Sequence, residues 1–218
     1  MKILELIIIA CAWLAYSALH SWLAANQVKA WVERHWPAAW PAYRLVFNLL
    51  SVLLLLPLLW ITQRYAGALL WRVPGWIAWP ALVVAVTGFF WSLTWYDGAT
   101  FLGLRQLRGR IGPDGECEAF KLSPMHCYVR HPWYTLGLLL LWTRDMNAAW
   151  LVAAVVITIY LIIGSRLEEE KLVARYGSAY RRYCRRVPGL LPLPGRFIRE
   201  DEARMLETQA HQDFRVRH

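Results

Sequence analysis

Tyr128-Val129-Arg130-His131-Pro132-Trp133-Tyr134 sets a guanidinium, an imidazole and two phenols at the foot of an apolar run that ends at Trp142. Proline suits the first position of a helix, where its missing N–H costs no bond. That helix must stop at the polar Arg144-Asp145-Met146-Asn147. About twelve residues at 1.5 Å each cover roughly 18 Å, short of the about 30 Å of a bilayer core. The chain then returns through the apolar residues 148–167 into Glu168-Glu169-Glu170. Two distant polar clusters are therefore expected to share one face of an apolar hairpin, and ionisable groups at membrane depth are costly enough to mark function.

Working outward, 58% hydrophobic residues and 14 Trp in 218 residues exclude an ordinary soluble domain. The runs 3–25, 45–62, 75–95 and 148–167 each approach the roughly 20 residues that a crossing helix needs. The first lacks a convincing cleavage site and is read as a retained helix. Pro57 is expected to kink the second, and Trp31, Trp36, Pro37, Trp40 and Pro41 form a loop with indoles at headgroup depth. Ile111-Gly112-Pro113-Asp114-Gly115 has the residues of a turn. Gly177 is expected to stop the return helix, with a second short helix after it. The expectation is an all-α integral membrane protein with about five transmembrane segments, the last two forming a helical hairpin, and a cytoplasmic C-terminal helical cap. Three regions follow: 1–96 with three spans, 97–195 with the loop, hairpin and motifs, and a charged tail, 196–218, read as a loosely docked helix.

With the N-terminus outside, twenty of the 24 Lys and Arg fall on the inner side and only Lys2, Arg64, Arg72 and Arg144 on the outer. That bias puts the C-terminus in the cytoplasm. It also accounts for the net charge of +9 without nucleic acid. Cys11, Cys117, Cys127 and Cys184 show no Cys-x-x-Cys spacing and are expected as reduced thiols. Cys117, His126, Cys127 and His131 make a poor zinc set, because His126 and Cys127 are adjacent. No metal site is expected.

Arg130 can hold a carboxylate by a bidentate contact, and Glu168 and Glu169 can take an amine or ribose hydroxyls. Tyr128, Tyr134 and Tyr180 offer aromatic faces to a sulfonium. S-adenosylmethionine carries all of these groups. The plain alternative is a snorkelling Arg130-His131 pair and a solvated helix end. Arg181, Arg182, Arg185 and Arg186 are read as attraction to anionic headgroups, and Trp76, Trp79, Trp91 and Trp95 as packing and interface belt.

Arg130-His131-Pro132-x-Tyr134, then Glu168-Glu169-x-x-Leu172-x-x-x-Tyr176-Gly177-x-x-Tyr180-x-x-Tyr183, then Val187-Pro188-x-Leu190-x-Pro192 resembles the membrane methyltransferases that include isoprenylcysteine carboxyl methyltransferase and the phospholipid N-methyltransferases. Leu19-His20-Ser21, Lys29, Tyr43-Arg44, and Asp97 with Phe101-Leu102-Gly103-Leu104-Arg105-Gln106 are similar to the bacterial methanethiol S-methyltransferase branch and to related denitrification-associated membrane proteins. One departure is Pro124, where that family commonly has glycine.

The resemblance implies a methyltransferase of the bacterial inner membrane that uses S-adenosylmethionine on a small thiol or other apolar acceptor. It implies a cofactor pocket of Tyr128, Arg130, His131, Pro132, Tyr134, Glu168, Glu169 and Tyr180. Catalytic roles fall to His131, Arg130 and His20, and substrate contacts to His20, Gln106 and Trp95. Membrane lipids are the other expected partners. Two alternatives stand: a lipid amine or prenylcysteine carboxylate as acceptor, and a non-catalytic accessory protein holding haem between His20 and His131. Glu168 and Glu169 are expected to serve the cofactor rather than the packing. Counting from the turn at 144–147, His131 and Glu168 are expected to be offset by roughly 12 Å along the hairpin.

Overall fold

The computed structural model describes residues 3–109 and 120–217 and is predominantly helical. The turn expected at 111–115 and Cys117 lie outside the described residues. The helices are α1 (Ile3–Ala24), α2 (Asn26–His35), α3 (Tyr43–Arg64), α4 (Gly75–Leu93), α5 (Gly98–Leu102), α6 (Leu104–Leu107), α7 (Pro132–Trp142), α8 (Ala148–Arg186) and α9 (Glu200–Arg217). The described residues also include 3-10 turns at Trp40–Ala42 and Pro124–Cys127 and two short strands, β1 (Leu69–Trp71) and β2 (Met146–Asn147). Among the described residues four helical segments are long and apolar enough to cross a membrane: Ile3–Ala24, Trp40–Arg64, Gly75–Leu93 and Ala148–Arg186. The fifth apolar segment, α7, has 11 residues and reaches only about 16 Å.

Two differences from the sequence reading concern local structure. Trp31, read as part of an interfacial loop, lies instead in the helix Asn26–His35, where it remains half exposed and stacks on His35 at 4.9 Å between ring centroids. The return helix continues as one element to Arg186, but its backbone breaks at Gly177 (φ 56°, ψ −121°), where the stop was expected. Only glycine adopts that conformation without strain.

The chain divides into two compact units, the first made of 1–78, 96–116 and 142–160. In it α1 buries Ile9, Trp13 and Ser17, which recur every fourth residue and so share one helical face. Trp13 Nε1 donates to Thr62 Oγ1 at 3.0 Å, and that buried hydroxyl donates to the Leu58 carbonyl one turn earlier, so no polar atom of the pair is left unsatisfied. β1 and β2 pair antiparallel, Leu69 with Asn147 and Trp71 with Met146. Ala149, Ala153 and Ala154 are fully buried on the first turns of α8. Asp97 caps α5, accepting from Ala99 N at 3.1 Å and Thr100 Oγ1 at 2.7 Å, and it pairs with Arg105 at 2.7 Å. The hydrogen bond from Thr100 holds its carboxyl below the usual range. Gly103 then turns the chain with φ +87°, and the Phe101 carbonyl accepts from Arg44 Nε and Asn48 Nδ2, each at 3.1 Å.

The second unit comprises 79–95, 117–141 and 161–218. Trp133 Nε1 donates to Ser92 Oγ at 2.6 Å, and Gly88 leaves room for Leu136. Its largest core joins Phe120, Cys127, Tyr176, Tyr180, Tyr183 and Val187 to Ile198, Ala203, Leu206 and Ala210. The tail is therefore not loosely docked: α9 lays a stripe at 203, 206 and 210, helical spacing, into that core. Burying Leu206 alone is worth about 1.5–3 kcal/mol.

A Cβ at Gly103 would stand 2.7 Å from the Leu45 backbone nitrogen, in a conformation that already disfavours side chains. Gly103→Ala should cost about 1–3 kcal/mol and lower the apparent melting temperature in detergent. An unchanged transition would contradict this packing of the 101–106 segment.

Candidate functional site

In the second unit the residues that precede α7 run beside the segment that follows α8. Arg130 N donates to Pro188 O at 2.9 Å and His131 N to Gly189 O at 3.1 Å. Thr135 Oγ1, one turn into α7, donates to Leu190 O at 2.6 Å. The Val187-Pro188-Gly189-Leu190 motif is thus a backbone rail for the residues at 130–131. Position 189 lies beside the cluster: a Cβ there would stand in ordinary van der Waals contact, 3.4 Å from Arg130 Nη2 and 3.7 Å from Glu169 Oε1.

Against this rail Arg130 grips Glu169, Nε to Oε1 and Nη2 to Oε2, both at 2.9 Å. Its Nη1 donates to the carbonyls of Cys184 and Val187 at the end of α8. Four of the five guanidinium donors are taken. The sequence reading offered Arg130 to a carboxylate, and the carboxylate it holds here is the protein's own. Both side chains are largely buried, so the fork geometry and the shelter from water strengthen each other. Arginine rather than lysine fits, since only a planar fork serves both carboxylate oxygens and two carbonyls.

His131 completes the cluster. Its Nε2 lies 2.9 Å from Glu169 Oε1 and its Nδ1 3.5 Å from Glu168 Oε2. Burial works against a charged ring, but the hydrogen bonds to Glu168 and Glu169 outweigh it and raise the imidazole above its ordinary range. A carboxylate facing each nitrogen favours the imidazolium, the form that can donate to both. The Tyr134 ring stacks on it, 5.3 Å between centroids and 8° between planes, and the Tyr134 hydroxyl reaches Glu168 Oε2 at 3.4 Å. Glu168 is half exposed and so presents a carboxylate outward from a buried base.

These contacts correct one expectation. His131 and Glu168 are in contact, not offset by roughly 12 Å, because α7 does not start level with α8. Trp142 Nε1, at the end of α7, donates to Thr158 Oγ1, ten residues into α8. From that point the 11 residues of α7 match 158–168, so the next residue on each side brings 131 and 169 together. The two glutamates differ in their surroundings: Glu169 is bonded to Arg130 and His131 and largely buried, whereas Glu168 is half exposed.

Other predicted residues are placed as follows. Pro132 is buried at the first turn of α7. Tyr180 lies in the aromatic core with Phe120 and Tyr183 rather than on a surface. Tyr128 is exposed and stacks on Phe197, 6.0 Å between centroids. Trp95 follows α4, partly exposed. His20 and Gln106 belong to the first unit. There His20 Nδ1 lies 2.8 Å from the Tyr160 hydroxyl with Phe47 beside the ring, and Gln106 Nε2 donates to Thr100 O. Gln106 Oε1 is buried and has no hydrogen-bond partner among the described residues.

Sequence reasoning missed the loop that leads into the cluster. Ser123 caps a short 3-10 turn, Pro124–Cys127, and shares a reciprocal capping contact with His126. Pro124 stands at the first position of that turn, which its fixed φ suits. Burial, helped by the charge on His131, pushes His126 down to about 4, so it stays neutral. The readable signal was Ser123 three residues before a polar side chain, the pattern of a cap.

No family model and no solved structure matches the chain. Curated relatives do. Methanethiol S-methyltransferase 2 of Bradyrhizobium diazoefficiens is 32% identical over 182 residues, 81% of this chain and 69% of that protein. Methanethiol S-methyltransferase of Mycobacterium tuberculosis is 33% identical over 196 residues, covering 83% and 75%. Nurim of Rattus norvegicus is more distant, 27% identical over 175 residues, covering 74% and 66%.

Because the folded-state pKa of His131 is raised, the charged ring's stabilising contribution is fully present below the ordinary value of about 6.5. It is lost as pH rises through the raised one. The difference in apparent melting temperature between wild type and His131→Gln should therefore be larger at pH 6 than at pH 9.5. A difference independent of pH would show that the ring is not held as a cation.

Proposed function

The chain belongs to the methanethiol S-methyltransferase family, and from that membership we propose that it transfers a methyl group from S-adenosylmethionine to a small thiol at the bilayer. The observation that carries the donor assignment is Glu168, a half-exposed carboxylate above a buried Arg130–Glu169–His131 base. The residues present fit such a donor. Glu168 can accept from its ammonium or ribose hydroxyls, and the faces of Tyr134 and Tyr128 suit a sulfonium. Arg130 keeps at most one free donor, so it is not the residue that grips the donor's carboxylate. When bound, this donor supplies a methyl group activated by an adjacent sulfonium.

The chain's own contribution is placement and exclusion of water. His131 aims Glu168 while Arg130 fixes Glu169, so the outward carboxylate has little freedom to lose on binding. The apolar α7 walls the cluster and suits an apolar acceptor. His131, held as a cation by two carboxylates, does not accept the thiol proton, and neither of its nitrogens is left to bind an iron. That weighs against the haem-carrier reading. In the same reading α7 and α8 form a membrane hairpin, the fifth and shortest segment being α7, with the cluster at the cytoplasmic face of an inner membrane. The distribution of Lys and Arg supports that side.

The test is methyl transfer from labelled S-adenosylmethionine to methanethiol by the purified protein. Glu168→Gln should raise the KM for the donor by about tenfold, the loss of one charge-assisted contact worth about 1.4 kcal/mol. Its melting temperature should fall less than that of Glu169→Gln, since Glu168 is half exposed and bonds His131 alone of the buried pair, whereas Glu169 holds both Arg130 and His131. Absence of transfer to any small thiol, with no donor binding, would overturn the assignment.

A further inference from the structure

Glu207 lies on α9, outside every motif that points to methyl transfer, yet its Oε1 accepts from the Leu122 backbone nitrogen at 2.6 Å. A few residues on, the same loop receives a second bond from the tail, Ile198 N to Cys127 O at 3.0 Å. From the opposite side Tyr183 Oη donates to His126 O at 2.7 Å. The stretch 120–128 is thus held near its entry by α9 at Leu122, and near its exit by Tyr183 at His126 and by Ile198 at Cys127. Two residues past Tyr128 the chain reaches Arg130, whose backbone is already paired with Pro188.

We propose that Glu207 is a positioning residue for the methyl-donor site, acting through the 120–128 loop to set Arg130 and His131 and through them Glu168. The chemistry explains the choice of residue. A backbone N–H inside a partly buried loop needs an acceptor, and a carboxylate makes the bond charge-assisted. Glu207 is itself half-buried, one residue from the fully buried Leu206, so the packing of α9 fixes where the acceptor stands. Loss of the acceptor frees the entry of the loop while the aromatic core at Phe120 persists. The consequence falls on placement of the site rather than on the fold.

The inference rests on the proposed methyl transfer, and the experiment separates the two. Glu207→Ala should raise the donor KM roughly three- to tenfold, the range expected for one hydrogen bond, with kcat and the thiol KM unchanged. Glu207→Gln, which keeps a side-chain oxygen at the same reach, should restore the wild-type value. Amide exchange in 122–128 should quicken in Glu207→Ala and not in Glu207→Gln. Should Glu207→Ala fail to accumulate, Glu207→Asp withdraws the acceptor by one methylene and carries the same expectation. A fall in kcat and yield with unchanged donor KM would reduce Glu207 to a stability role and overturn the proposal. If the wild type transfers no methyl group, the functional reading fails by itself. The positioning role is then decided by exchange alone, and unaltered exchange in Glu207→Ala rejects it.

Discussion

The bidentate contact between Arg130 and Glu169 joins three parts of the chain that are far apart in sequence: the residue before α7, the middle of α8, and the carbonyls at its end. A charge buried to this extent is costly unless paired and hydrogen-bonded. Here each partner satisfies the other, and the guanidinium also caps a helix end whose carbonyls would otherwise lack donors. His131 adds a second cation on the same carboxylate, which leaves Glu168 as the one acidic group of the cluster turned outward. The division of labour between two adjacent glutamates follows from helix geometry. Successive residues point about 100° apart, so one can enter the hairpin interface while its neighbour faces the opening.

The cluster depends on supports that carry no chemistry of their own. The Pro188 and Gly189 carbonyls hold the backbone at 130–131, and Phe120 and Cys127 bury the 120–128 loop in the aromatic core with Tyr180 and Tyr183. Trp133 and Ser92 tie the first turn of α7 to α4. In a protein whose outer surface meets lipid, apolar burial distinguishes poorly between inside and outside. Specific polar pairs of this kind then define which helices meet.

Much of the architecture was legible because a bilayer imposes length. The long apolar runs at 3–25, 45–62 and 75–95 correspond to α1, α3 and α4, and the break at Gly177 was readable from the φ that only glycine tolerates. The cluster was legible as a set of residues but not as a set of bonds. An arginine beside a glutamate motif advertises carboxylate binding without saying whose carboxylate it binds. The offset between His131 and Glu168 was misjudged because helix lengths were counted from the turn, whereas α8 runs ten residues beyond its neighbour before the two meet. The stripe at Ala203, Leu206 and Ala210 was hidden by its small residues. The pairing of β1 with β2 is too short to leave a period in the sequence. The cap that Ser123 forms with His126 carried a readable local signal, and the bond from Leu122 N to Glu207 carried none.

Arg130 and Glu169 act as one unit, and the proposed methyl-donor site depends on its integrity. A double-mutant cycle with Arg130→Lys and Glu169→Gln, read by unfolding free energy and by S-adenosylmethionine affinity in the same preparations, addresses it directly. Coupling of about 1.5 kcal/mol or more in both quantities is the expected result, since each partner is stranded once the other is changed. Additive effects, with the two substitutions behaving independently, would contradict the account.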